Sequence, residues 1–141
     1  MTQKKKDLLL KDLCSRLPYK PRVRYYYHSI GSAAINGYSD EGYLSYQNLE
    51  DFSLYPKNGL EKTRVYNISP YLRPMSSMTE EEKKELGNYL STEIFLSIDG
   101  LHSVLRAQRD TSNFLYSRHL DVLGLIEKGL ALEAPEGMYK N

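Results

Sequence analysis

The sequence predicts a single α+β domain over residues 1–141, a small antiparallel sheet packed against several helices. Three observations carry this reading. The stretch from Arg22 to Ser29 alternates in the period-two manner of a strand. Short β-favouring runs separated by glycines and turn sequences fill the middle of the chain. Helical spacing of apolar residues marks the regions before and after that middle, giving the order helix, strands, helices.

Residues 3–17 read as the first helix, with Leu10, Leu13, Cys14 and Leu17 spaced along one apolar face. Pro18 and Pro21 stop it and force extended backbone. In the following strand Val23, Tyr25 and Tyr27 share one face, while Arg22, Arg24, Tyr26 and His28 share the other. Further short strands are expected near 32–36, 43–47, 52–55 and 63–68, with turns at Asp40-Glu41-Gly42 and Pro56-Lys57-Asn58-Gly59. Residues 70–78 carry Pro70 and Pro74 and read as extended. Thr79-Glu80-Glu81-Glu82 is a capping box: the Thr79 hydroxyl accepts from the Glu82 amide while the Glu82 carboxylate reaches back to the Thr79 amide. A helix therefore starts at residue 80, with Gly87 and Gly100 arguing against one unbroken helix beyond it. Asp110-Thr111-Ser112 is expected to cap a further helix ending near Lys128 and Gly129, and residues 130–133 to form a last strand.

A chain of 141 residues buries about two-thirds of its unfolded surface, enough to fold without a disulfide or metal. With 40% apolar and 26% charged residues it has a globular rather than a disordered balance. A formal charge of +1 supplies no global field toward nucleic acid or acidic lipid, so electrostatic binding has to come from a local patch. The lone Cys14 makes neither an internal disulfide nor a Cys-x-x-Cys metal pair. The apolar run Leu8-Leu9-Leu10 is too short for a secretory core or a membrane span, so the expected location is the cytoplasm and no membrane partner is expected.

Signatures of catalysis are sparse. The chain has no dinucleotide fingerprint, no Walker loop and no nucleophile elbow. Gly31 and Gly37 bracket a small-residue run that no phosphate-reaching lysine follows. His28, His102 and His119 are dispersed, without metal-ligand spacing. Cys14 is expected to be buried on the apolar helix face as an inert hydrophobe. No cofactor and no metal site are expected. The constellation that does carry chemistry is basic and aromatic: Lys20, Arg22 and Arg24 interleave with Tyr25, Tyr26 and Tyr27. Cations neutralise phosphate and tyrosine rings stack on bases, so Lys20, Arg22, Arg24 and Tyr26 form a candidate ligand-binding face. The same pattern also suits the protective outer face of an ordinary strand. Tyr71 and Arg73, stiffened by Pro70 and Pro74, form a second candidate.

Three segments, Lys6–Tyr19, Tyr71–Leu86 and His119–Tyr139, resemble uncharacterised small proteins encoded in gut-bacterial genomes and their prophages or mobile elements. The resemblance implies a mobile-element setting and assigns no catalytic or ligand-binding residue. The expectation is a non-catalytic binding or interaction protein that acts on a host protein or takes a small ligand. The alternative is a nucleic-acid or nucleotide binder using the strand around Arg22–Tyr27.

Overall fold

The computed structural model describes residues 1–28, 37–55, 64–90 and 98–139; at 90 and 98–104 it describes the backbone alone. The order is α1 (Gln3–Arg16), a single 3-10 turn, β1 (Arg22–Tyr27), β2 (Tyr38–Tyr43), α2 (Tyr46–Ser53), β3 (Val65–Leu72), a second 3-10 turn, α3 (Glu80–Leu90), α4 (Ile98–Ser117) and β4 (Leu132–Glu133). The sheet order is β2-β1-β3-β4. Both neighbours of β1 are antiparallel to it, whereas the two-residue β4 joins β3 in parallel, so the α+β fold carries a mixed sheet.

The core lies between the inner face of the sheet and helices α1 and α2. Val23 and Tyr25 of β1 meet Ile68, Leu72 and Val65 of β3, Leu9 and Leu13 of α1, and Leu49 and Phe52 of α2. Leu125 and Leu130 close the cluster from the segment after α4. Helices α3 and α4 pack on each other through the rings of Tyr89 and Phe114, 5.8 Å apart.

The first helix buries a different face from the one its leucines suggest. Leu9, Asp12, Leu13 and Arg16 are buried, and Cys14 is exposed. The buried stripe is turned because Asp12 and Arg16 enter it as a pair. Both side chains are fully enclosed, with Arg16 Nε 2.6 Å from the Asp12 carboxylate. Arg16 also donates to the Leu120 carbonyl at 2.7 Å and stacks over the Tyr116 ring. A buried pair of this kind contributes little net stability, but it fixes which elements meet.

Three further expectations are corrected. Residues 46–53 form a helix rather than the strand expected near 52–55. Ser45 caps it by accepting from the Asn48 amide, and Leu49 and Phe52, three residues apart, supply its buried edge. The strand expected at 43–47 is displaced to Tyr38–Tyr43, so Gly42 lies inside it. Residues 110–112 lie within α4 rather than capping a later helix, and α4 ends at Ser117. Its end is a Schellman motif in which His119 donates to the Tyr116 carbonyl and Leu120 to that of Leu115. The strand expected at 32–36 lies outside the described residues. The helix start at Glu80 stands as read: Thr79 N donates to Glu82 at 2.9 Å and Glu82 N to the Thr79 hydroxyl at 3.1 Å. Among the described residues no helix is long and apolar enough to cross a membrane.

Candidate functional site: a basic cleft at the sheet end

Where β1 begins and β3 ends, a cleft of about 220 Å³ opens against the C-terminal end of α4. Lys20 and Arg22 form one wall. Arg73, Arg118 and His119 form the other, and Tyr43 and Tyr139 supply rings. Four permanent cations thus face a small space in a protein whose net charge is only +1.

Each wall has a local cause. Lys20 closes the 3-10 turn after Pro18 in the left-handed region, φ 46°, and its amide donates to the Leu17 carbonyl. Arg22 is the first outward residue of β1, and its guanidinium lies 5.0 Å from the centroid of the Tyr43 ring on the paired strand. Arg73 follows β3 directly. Its backbone is held between two hydrogen bonds of 2.8 Å, one to the His119 carbonyl and one from the Asp121 amide. That bridge sets the cation of β3 beside the end of α4. Arg73 and Arg16 donate to the Arg118 and Leu120 carbonyls, covering partial negative charge at the helix end that would repel an anion.

His119 is the strained member. It occupies a left-handed position, φ 60°, in the helix-ending motif where glycine is usual. Its ring stacks on Tyr139, with centroids 3.9 Å apart. Burial, with Arg16 and Arg73 nearby, holds its pKa down to about 4, and its Nδ1 is buried without a hydrogen-bond partner. His119 does not pair with Asp121, whose carboxylate accepts from the Leu125 and Ile126 amides. Tyr139 seals the sheet end: its hydroxyl accepts from Arg22 N at 2.8 Å and donates to the Tyr71 carbonyl at 2.7 Å. Burial pushes its pKa up to about 12, so it stays protonated.

The sequence-derived candidates divide between two places. Lys20, Arg22 and Arg73 line the cleft. Arg24 and Tyr71 are tied to each other and to Glu41: Arg24 donates to the Glu41 carboxylate at 2.8 Å and to the Tyr71 hydroxyl at 2.9 Å. Tyr71 in turn donates to Glu41 at 2.5 Å, and these two donors hold the Glu41 carboxyl below its ordinary value. Tyr26 sits further along β1 against the Tyr66 ring. Arg118, His119, Tyr43 and Tyr139 were not singled out as site residues, because only the chain path brings these distant positions together. The lone sequence signal toward them is compositional, 13 tyrosines in 141 residues.

The cations are not equally available. Arg73 makes a two-pronged pair with Glu82 at 2.9 and 2.7 Å, and Arg118 approaches Glu85 at 3.4 Å. Arg22 stands 4.0 Å from Glu41, and the Lys20 ammonium has no ion-pair partner among the described residues. A second cavity of about 350 Å³ lies by Phe52, Tyr55 and Tyr66, but the cation there, Lys6, donates to the Tyr55 carbonyl. Among the described residues no cluster of His, Cys, Asp and Glu has the arrangement of a metal site.

Comparison with known proteins returns no match: no family model, no curated protein and no solved structure aligns with this chain.

Proposed function

We propose that this chain is a non-catalytic binding protein that receives a phosphate-bearing ligand in the cleft between Lys20, Arg22, Arg73 and Arg118. The observation that carries the reading is the convergence of those four cations, from three separate parts of the chain, on one concave space. Arginine forks and a lysine ammonium are the groups that recognise phosphate, and charge-assisted bonds of this kind are roughly twice as strong as neutral ones. Binding rather than catalysis is favoured by the state of the cleft's histidine. At a pKa of about 4 it is a weak proton acceptor, and it is held in a ring stack. The resemblance of three segments to mobile-element proteins adds the proposal that the ligand is a host component, or is carried by one.

A second reading rests on a different surface. Tyr38, Tyr43 and Tyr46 are more than half exposed, two of them on the edge strand β2. Exposed tyrosines at a sheet edge suit contact with a protein partner.

Isothermal titration with inorganic phosphate and pyrophosphate tests the first reading. Wild-type protein is expected to bind at low salt, to weaken as salt rises, and to lose binding in the double variant Arg22→Ala, Arg118→Ala with its circular dichroism intact. Absence of any phosphate or pyrophosphate binding at low salt would refute it.

A further inference from the structure

Building on the phosphate reading of the cleft, we infer that the ligand is a mononucleotide held by its terminal phosphate, not a nucleic-acid strand. A strand needs a continuous basic path along which successive phosphates are neutralised. Here the path stops within one residue pair. The next outward cation on β1 after Arg22 is Arg24, and it is bound to an anionic Glu41 and to the Tyr71 hydroxyl. A second phosphate moving along β1 would meet the Glu41 carboxylate. Toward α3, Glu82 and Glu85 stand behind Arg73 and Arg118 and close the opposite direction. Carboxylates paired to the outlying arginines thus flank the cleft on two sides, leaving a place for one compact anion and none for a continuous line of phosphates.

The size agrees. About 220 Å³ is below the roughly 300–1,000 Å³ of pockets that enclose a whole drug-sized ligand. The cleft takes a phosphate headgroup and leaves the rest of the molecule outside, over its lip. At that lip is Tyr43, a residue 61% exposed, with the Arg22 guanidinium over one face of its ring. A tyrosine face offers a stacking platform for a planar base, and an arginine fork next to it can donate to acceptor atoms on the base edge. Terminal phosphate, short spacer and flat ring rich in acceptors together describe a nucleoside monophosphate.

The test compares four probes by isothermal titration with the full chain at low salt: inorganic phosphate, adenosine monophosphate, phenyl phosphate, and oligothymidylate lacking a terminal phosphate. Adenosine monophosphate is expected to bind about tenfold or more tighter than phosphate, the range that base stacking supplies. Tyr43→Ala should erase that gain, so that adenosine monophosphate binds this variant no tighter than inorganic phosphate does. Lys20→Gly, which keeps a left-handed backbone that glycine adopts freely, should weaken both ligands together. Equal affinity for phosphate and adenosine monophosphate would overturn the nucleotide inference while leaving the phosphate reading standing. Phenyl phosphate binding as tightly as the nucleotide would overturn the base, and oligothymidylate binding as tightly would overturn the terminal phosphate. If inorganic phosphate also fails to bind, the cleft reading itself falls.

Discussion

Glu82→Gln separates electrostatics from packing at the junction that holds Arg73 in place. The Glu82 side chain is 7% exposed and accepts two bonds from Arg73 and one from the Thr79 amide. Those partners, Arg73 foremost, hold its carboxyl down to about 2 from an ordinary value of 4.5. A depressed carboxyl contributes stability that is complete above the unfolded value and disappears as pH falls through the folded one. At about 1.4 kcal/mol per pH unit, the gap corresponds to about 3 kcal/mol at pH 7 and about 1 kcal/mol at pH 3. The 19% exposure of Arg73 trims the first figure toward about 2 kcal/mol. Glutamine keeps an acceptor for the Thr79 amide but turns its own NH₂ toward a guanidinium, so helix capping survives and the ion pair does not. Urea denaturation of wild type and Glu82→Gln at both pH values is the assay. The destabilisation should be about 2–3 kcal/mol at pH 7 and shrink by half or more at pH 3. An equal loss at both would show that the carboxylate charge contributes nothing and that shape alone was disturbed. The same variant frees Arg73, so phosphate affinity of the cleft should rise at low salt while stability falls.

Three other outcomes can be checked independently. Thr79→Ala should cost about 1 kcal/mol by removing the hydroxyl that caps α3; unchanged denaturation midpoints with equal slopes would place the helix start elsewhere. Cys14, exposed on α1, should label with a thiol reagent as fast in native protein as in urea, and slow native labelling would return it to the interior. His119, with a pKa held to about 4, is neutral when folded and charges readily when unfolded, so stability should decline as pH drops from the ordinary value of 6.5 toward 4. In His119→Gln that decline should flatten, as read by thermal melts across the range, and an unaltered slope would assign it to another group.

What could be read in the sequence was local in origin. The capping box at Thr79 and Glu82, the alternation in β1 and the proline stop after α1 each depend on neighbours a few residues away, and each stands in the structure. The α1 face was misread because a spacing rule assumes that charge faces water, whereas Asp12 and Arg16 neutralise each other inside. The α2 helix was missed because Leu49 and Phe52 make only one short apolar edge, which a strand expectation also accommodates. Half of the candidate site was visible in the same way. Lys20, Arg22 and Arg73 stood out as cations near tyrosines and prolines. Arg118, His119 and Tyr139 lie about a hundred residues from Lys20, and no pattern within one segment could join them.

That separation fixes the order in which the cleft is assembled. Arg16 is completed by a carbonyl at position 120, and the start of β1 is sealed by the hydroxyl of residue 139. Closing such long loops is slow relative to forming helices and hairpins. While the chain is still emerging from the ribosome, residues 1–28 are present and the opposite wall of the cleft is not. The Asp12–Arg16 pair then faces water, and Lys20 and Arg22 form no concavity. The cleft is thus among the last things this protein assembles, and a nascent or C-terminally clipped chain lacks one of its walls.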